Sequence, residues 1–156
     1  MPNVSMPSDR SERFLVAFEA LAQAVRRARG AAPQDLPDRL TLSQYSLLTP
    51  LATGGAARVS QLAGEAGIAP STASRILDAL ERRGIVRRAP SERDRRGVVV
   101  SLTDVGRQAL RRQDEWMRSR QIAFFAGLPP NEQDVVGDLL VRLADLIDEL
   151  GSGPGR

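Results

Sequence analysis

Apolar residues recur at helical spacing through most of the chain, and one short stretch switches to the two-residue rhythm of strands. Phe14, Phe18, Leu21 and Val25 follow one another at three- and four-residue steps and predict an amphipathic helix over 11–29. Gly and Pro break the pattern between Gly30 and Pro37. A second helix is expected to open at Thr41, because Thr41 and Gln44 form a T-x-x-Q capping box. Pro50 is expected to kink or end that helix, and Gly54-Gly55 to close the segment. A short helix over 60–66, a turn at Gly67 and a helix over 70–83 follow, with Pro70 in a first turn and Gly84 at an end. Two β-branched runs, 85–89 and 98–102, joined by the polar loop 90–97, predict a hairpin. Thr103 can cap a helix reaching about Ala126, which Leu128-Pro129-Pro130 ends. In the last helix, over 130–150, Val135, Val136, Leu139, Leu140, Leu143, Leu146, Ile147 and Leu150 trace a continuous apolar stripe. Residues 1–10 and 151–156 are expected to be flexible tails.

Composition narrows the chemistry. At 156 residues and 42% apolar content the chain is of a size and kind to form a packed core. No stretch approaches the roughly 18 uninterrupted apolar residues of a membrane span. The N-terminus has no basic segment followed by an apolar run, so no export signal is expected and the protein is expected to be cytoplasmic. Cys and His are absent and all 22 basic residues are Arg. Thiol redox chemistry, thiolate or imidazole metal sites, the commonest general base and Schiff-base chemistry are therefore excluded. No catalytic residue, metal or cofactor is expected, and the protein is not expected to be an enzyme.

The net charge of +3 conceals an asymmetry: 12 Arg face six acids between Arg58 and Arg112, and 10 Arg face 13 acids elsewhere. A basic middle between acidic ends fits one segment facing a polyanion, although a solvated charged face would have the same composition. Within it, Leu62, Ala63, Ala66, Gly67 and Ile68, followed by Ala73 and Ile76, have helix-turn-helix spacing. Ala63 is small where two helices must approach, and Gly67 suits a left-handed turn. Projected at 100° per residue, Ala73, Ile76, Leu77 and Leu80 share one side of the 70–83 helix. Ser71, Ser74, Arg75, Asp78 and Arg82 share the other, with Thr72 at the edge. Short hydroxyls backed by an Arg suit a DNA major groove, where Arg can fork onto guanine. Asp78 can brace Arg75 or Arg82, or accept from a cytosine amino group. An ordinary amphipathic surface helix is the plain alternative.

The hairpin loop carries Arg93, Asp94, Arg95 and Arg96. Arginines crowded at a tip repel one another, which fits a wing gripping phosphates and entering the minor groove, with Asp94 holding one of them, Arg96 for choice. A solubilising turn would also be polar.

Asp94-Arg95-Arg96-Gly97-Val98 with Leu102-Thr103 and Gly106 resembles the wing signature of the MarR (multiple antibiotic resistance regulator) family. So do Leu42, Gln44 and Tyr45, and the run Pro70–Arg75 with Leu80, Glu81 and Gly84–Val86. The resemblance extends over about 11–150. It implies a mainly α fold with a small β-hairpin wing, a winged helix-turn-helix with N- and C-terminal dimerisation helices. Residues 41–103 would be the DNA-binding domain, and 11–40 with 104–150 the dimerisation region. It further implies a homodimeric repressor on double-stranded DNA with an inverted-repeat operator, released by a small phenolic or lipophilic effector. Phe18, Tyr45 and Trp116 fall on the helices that would line the effector pocket, though such aromatics also serve as core. Missing Cys and His argue against the family's peroxide- and zinc-sensing branches. Pro50 departs from the family pattern and would shorten the second helix. A protein–protein module without a DNA role is the competing reading, disfavoured by the arginine-rich wing beside a hydroxyl-rich helix face.

Overall fold

The computed structural model describes residues 9–30, 39–91 and 97–152. In chain order the elements are α1 (Asp9–Gly30), α2 (Leu42–Gly54), β1 (Ala56–Ala57), α3 (Val59–Glu65), α4 (Pro70–Arg82), β2 (Val86–Pro90), β3 (Val98–Leu102), α5 (Asp104–Ala126) and α6 (Pro130–Ser152). The expected class, mainly helical with a small antiparallel sheet, is the class observed. Contacts divide the chain into two compact units, Met1–Gln113 and Asp114–Arg156.

In the first unit α2 begins as its capping box dictates. The Thr41 hydroxyl accepts from the Gln44 amide at 3.1 Å, and the Gln44 side chain accepts from the Thr41 amide at 3.0 Å. Pro50 does not end the helix, the second of the two outcomes expected of it: α2 continues past it to Gly54. Leu47, Leu48 and Leu51 flank the proline and are buried in the core, so packing outweighs the one backbone hydrogen bond that Pro50 cannot make. Gly55, at φ 79°, then turns the chain and donates its N–H to the Leu51 carbonyl.

The core draws Leu47, Leu48 and Leu51 from α2, Leu62 and Ala63 from α3, and Ala73, Leu77 and Leu80 from α4. Val86, Val100 and Leu102 join them from the sheet, and Ala109 and Leu110 from the start of α5. Ala63 is buried at the turn between α3 and α4, where its carbonyl accepts from the Ile68 amide at 3.0 Å. Gly67 has φ 63°, the left-handed value the turn requires.

The sheet has the order β1-β3-β2 and is antiparallel throughout. The hairpin expected from the β-branched runs is β2 paired with β3, in a register that sets Arg88 opposite Val100 and Val86 opposite Leu102. The third strand, β1, was not expected. Thr103 caps α5 as predicted, its hydroxyl accepting from the Gly106 amide at 3.0 Å.

The second unit holds the remainder of α5 and α6. Gln133 on α6 donates to the carbonyls of Phe125 and Leu128 at 3.1 and 3.0 Å, closing the corner between the helices. No residue of α6 is buried, and Leu139, Leu140, Val141, Ile147 and Leu150 are exposed, as are Ile122, Phe124 and Phe125 on α5. Phe14, Leu15, Val16, Leu21 and Val25 are likewise exposed on α1 of the first unit. Among the described residues no helix is long and apolar enough to cross a membrane.

Candidate nucleic-acid interface

The interface is built on α4. Its N-terminal turn starts at Pro70, whose fixed φ and missing N–H suit that position. Ala73, Leu77 and Leu80 are buried and Ile76 packs against the same core, which fixes the rotation of the helix about its axis. The opposite face is then turned outward: Ser71, Arg75, Asp78 and Arg82 are exposed, and Thr72 and Ser74 are half-buried. Among the described residues Arg75 and Arg82 make no ion pair. All six expected groove residues thus lie on the side of one well-anchored helix that faces away from its core residues.

Asp78 has a different partner from those expected. It pairs with Arg88 of β2, Oδ1 to guanidinium 2.7 Å, rather than with Arg75 or Arg82 on its own helix. The reason is the strand running beside α4, which brings a cation to the carboxylate directly. Glu81, one turn further on, holds the same guanidinium at 2.6 Å and accepts from the Arg88 backbone N–H at 3.3 Å. Partial burial opposes the charge on Arg88, but the hydrogen bonds and proximity of Asp78 and Glu81 outweigh it and raise its pKa above the usual arginine value.

The wing is described at its base. Beyond the β2–β3 pairs the Ser91 amide donates to the Gly97 carbonyl at 2.7 Å. A Cβ on Gly97 would lie 3.1 Å from the guanidinium of Arg58, the residue that precedes α3, so glycine there admits the arginine against the wing. Arg93, Asp94, Arg95 and Arg96 lie outside the described residues.

The three aromatics expected around an effector fall in different surroundings. Phe18 of α1 is half-buried, with its ring 6.0 Å from that of Phe14. Tyr45 of α2 is half-buried against the core of the same unit. Trp116 belongs to the second unit and lies under the Arg120 guanidinium, 5.9 Å from its ring centroid.

Sequence reasoning missed Arg88 and Glu81. A usable signal existed, since strand alternation puts Arg88 on the face of Val86. A charge on a core face calls for a carboxylate, and Asp78 and Glu81 stand one turn apart on the preceding helix.

A short helix, a glycine turn, an outward-facing polar helix and an antiparallel hairpin together make a winged helix-turn-helix, a class of protein that reads duplex DNA. Residues 40–98 match the model of the MarR family. An HTH-type transcriptional regulator of Mycobacterium bovis is 34% identical over 113 residues, covering 68% of this chain and 76% of that protein. The chain belongs to the MarR family, whose members are DNA-binding transcriptional regulators. The Bacillus subtilis regulator YwaE is 33% identical over 106 residues, 68% of this chain and 62% of its own length. Among solved structures, Bordetella bronchiseptica BpsR superposes with a TM-score of 0.61 at 26% identity, over 82% of this chain and 98% of that one. That structure addresses the regulation of BpsR DNA binding by 6-hydroxynicotinic acid.

Proposed function

We propose that the protein is a homodimeric repressor of the cytoplasm that binds an inverted-repeat operator and is released by a small phenolic or lipophilic effector. The observation that carries the DNA reading is α4: a buried inner face holds the helix still while Ser71, Arg75 and Arg82 face outward beside an arginine-rich hairpin. In this reading Ser71, Thr72, Ser74 and Arg75 meet base edges, Arg82 lies further along the groove, and Arg93, Arg95 and Arg96 meet phosphates, with Asp94 steadying one of them. The exposed apolar residues of α1 in the first unit, and those of α5 and α6 in the second, support a second copy of the chain as their cover, because large apolar side chains exposed in such number are rarely left to water. Two-fold symmetry then sets half-sites about one helical turn, ~10 bp, apart. Release by an effector is supported by the likeness to BpsR, and Phe18, Tyr45 and Trp116 are the side chains assigned to it.

Binding to promoter fragments across a salt series tests the reading, because neutralised phosphates make affinity fall steeply with salt. Absence of binding to every genomic fragment at low salt would end it. Two variants separate the roles. Arg75→Ala is expected to cost ~1–3 kcal/mol, concentrated at particular base pairs. Arg96→Ala is expected to weaken binding to all sequences alike and to reduce the salt slope by about one unit. Fluorescence anisotropy on a panel of single-base operator changes measures both.

A further inference from the structure

We propose that Arg88 is a positioning residue for DNA reading: gripped by Asp78 and Glu81, it fixes the wing strands against the recognition helix and withdraws Asp78 from base contact. The inference rests on the DNA-binding role argued above and assigns a task to three residues that role leaves unused.

The register of the sheet places Arg88 opposite Val100, which is fully buried, and two residues from Val86, which is also buried. Arg88 therefore occupies the core-facing side of β2, where an aliphatic side chain would pack without any cost of desolvating a charge. Its side chain is only 24% exposed, and both carboxylates that meet it come from α4. Asp78 and Glu81 lie one turn apart, so the planar guanidinium is held at two points, at 2.7 and 2.6 Å. The backbone N–H of Arg88 adds a third attachment to Glu81. Core packing of Ile85 and Val86 holds the start of β2, and the grip at two points along the helix axis restrains the strand two residues further toward the loop. What the clamp fixes is the offset between the outward face of α4 and the hairpin whose loop carries Arg93, Arg95 and Arg96. A reader that contacts the groove and the flanking backbone at once depends on that offset. Asp78, with its carboxylate committed to Arg88, is then a brace and not a reader of cytosine.

The test uses the full chain and a promoter fragment bound by the wild type. Arg88→Met keeps length and apolar packing but removes the clamp. It is expected to leave the thermal midpoint within a few degrees while lowering affinity about tenfold, the size of effect usual for members of one ion-pair network. The salt slope is expected to flatten by about one unit as a phosphate contact is lost. Arg88→Lys keeps the charge but has no planar fork, and is expected to show the same loss, which serves if the apolar variant does not fold. Asp78→Asn is expected to weaken all operator variants equally and to add little to Arg88→Met in the double variant. Wild-type affinity and salt slope in the Arg88 variants overturn the positioning role alone. A change of preference at one base pair in Asp78→Asn makes Asp78 a reader and overturns it too. Failure of the wild type to bind DNA at any salt overturns the DNA reading itself, and the positioning role with it.

Discussion

Gly106→Ala is expected to destabilise the fold by about 3 kcal/mol, the upper end of what forcing an extra carbon into a packed site costs. Gly106 lies in the first turn of α5, and a Cβ there would overlap the carbonyl oxygen of Ile85. It would also stand 3.0 Å from that carbonyl carbon and 3.2 Å from a Leu102 methyl. The neighbours cannot yield easily. The Ile85 carbonyl already accepts from the Thr103 backbone N–H at 3.1 Å, and Thr103 in turn caps α5 through the Gly106 amide. Moving α5 outward would break the cap, and moving Ile85 would pull at the start of the wing. The glycine does not have a left-handed backbone angle, so space alone sets the cost. Thermal or urea denaturation followed by circular dichroism measures it, and an unchanged midpoint would show that α5 can shift at little cost.

The second large effect is expected at Leu77, where alanine should cost 2–5 kcal/mol, the range for deleting most of a buried leucine. Leu77 is fully buried at the middle of the inner face of α4, between Ala73 and Leu80. The cavity would loosen the helix that carries the proposed groove residues. Its signature differs from that of Arg75→Ala. Leu77→Ala should shift the denaturation midpoint strongly, with DNA affinity falling in proportion to the unfolded fraction and base preference unchanged. Arg75→Ala should leave the midpoint in place and alter base preference. If both variants lost affinity with identical stability, the division of α4 into an anchoring and a reading face would be wrong.

The features legible in the sequence are those with local chemistry. The Thr41–Gln44 box, the left-handed Gly67 and Gly84, the Thr103 cap and the α4 stripe are each written within a few residues, and each appears where the pattern puts it. β1 has no such script. It is two alanines long, and only pairing with Ser101 and Val100, more than 40 residues away, makes it a strand. Pro50 did not end α2 for a related reason, since that local preference was overridden by three buried leucines whose partners lie on other elements. The Arg88 clamp fell between these cases. Its components follow from strand alternation and helical spacing, but the side-by-side course of β2 and α4 had to be seen before they could be joined. Of the expected interface, the α4 residues are brought to one face, while the loop arginines lie outside the described residues.

A helix with no fully buried residue, α6, has a further consequence. Such an element contributes little independent folding free energy, and its integrity depends on whatever covers it. If a second copy is that cover, as proposed above, chain concentration would become a variable of stability: dilution would loosen the pair by mass action, and the melting temperature would climb with each increase in protein. Cellular abundance would then set not only how often an operator is occupied but how much of the population is fit to occupy it.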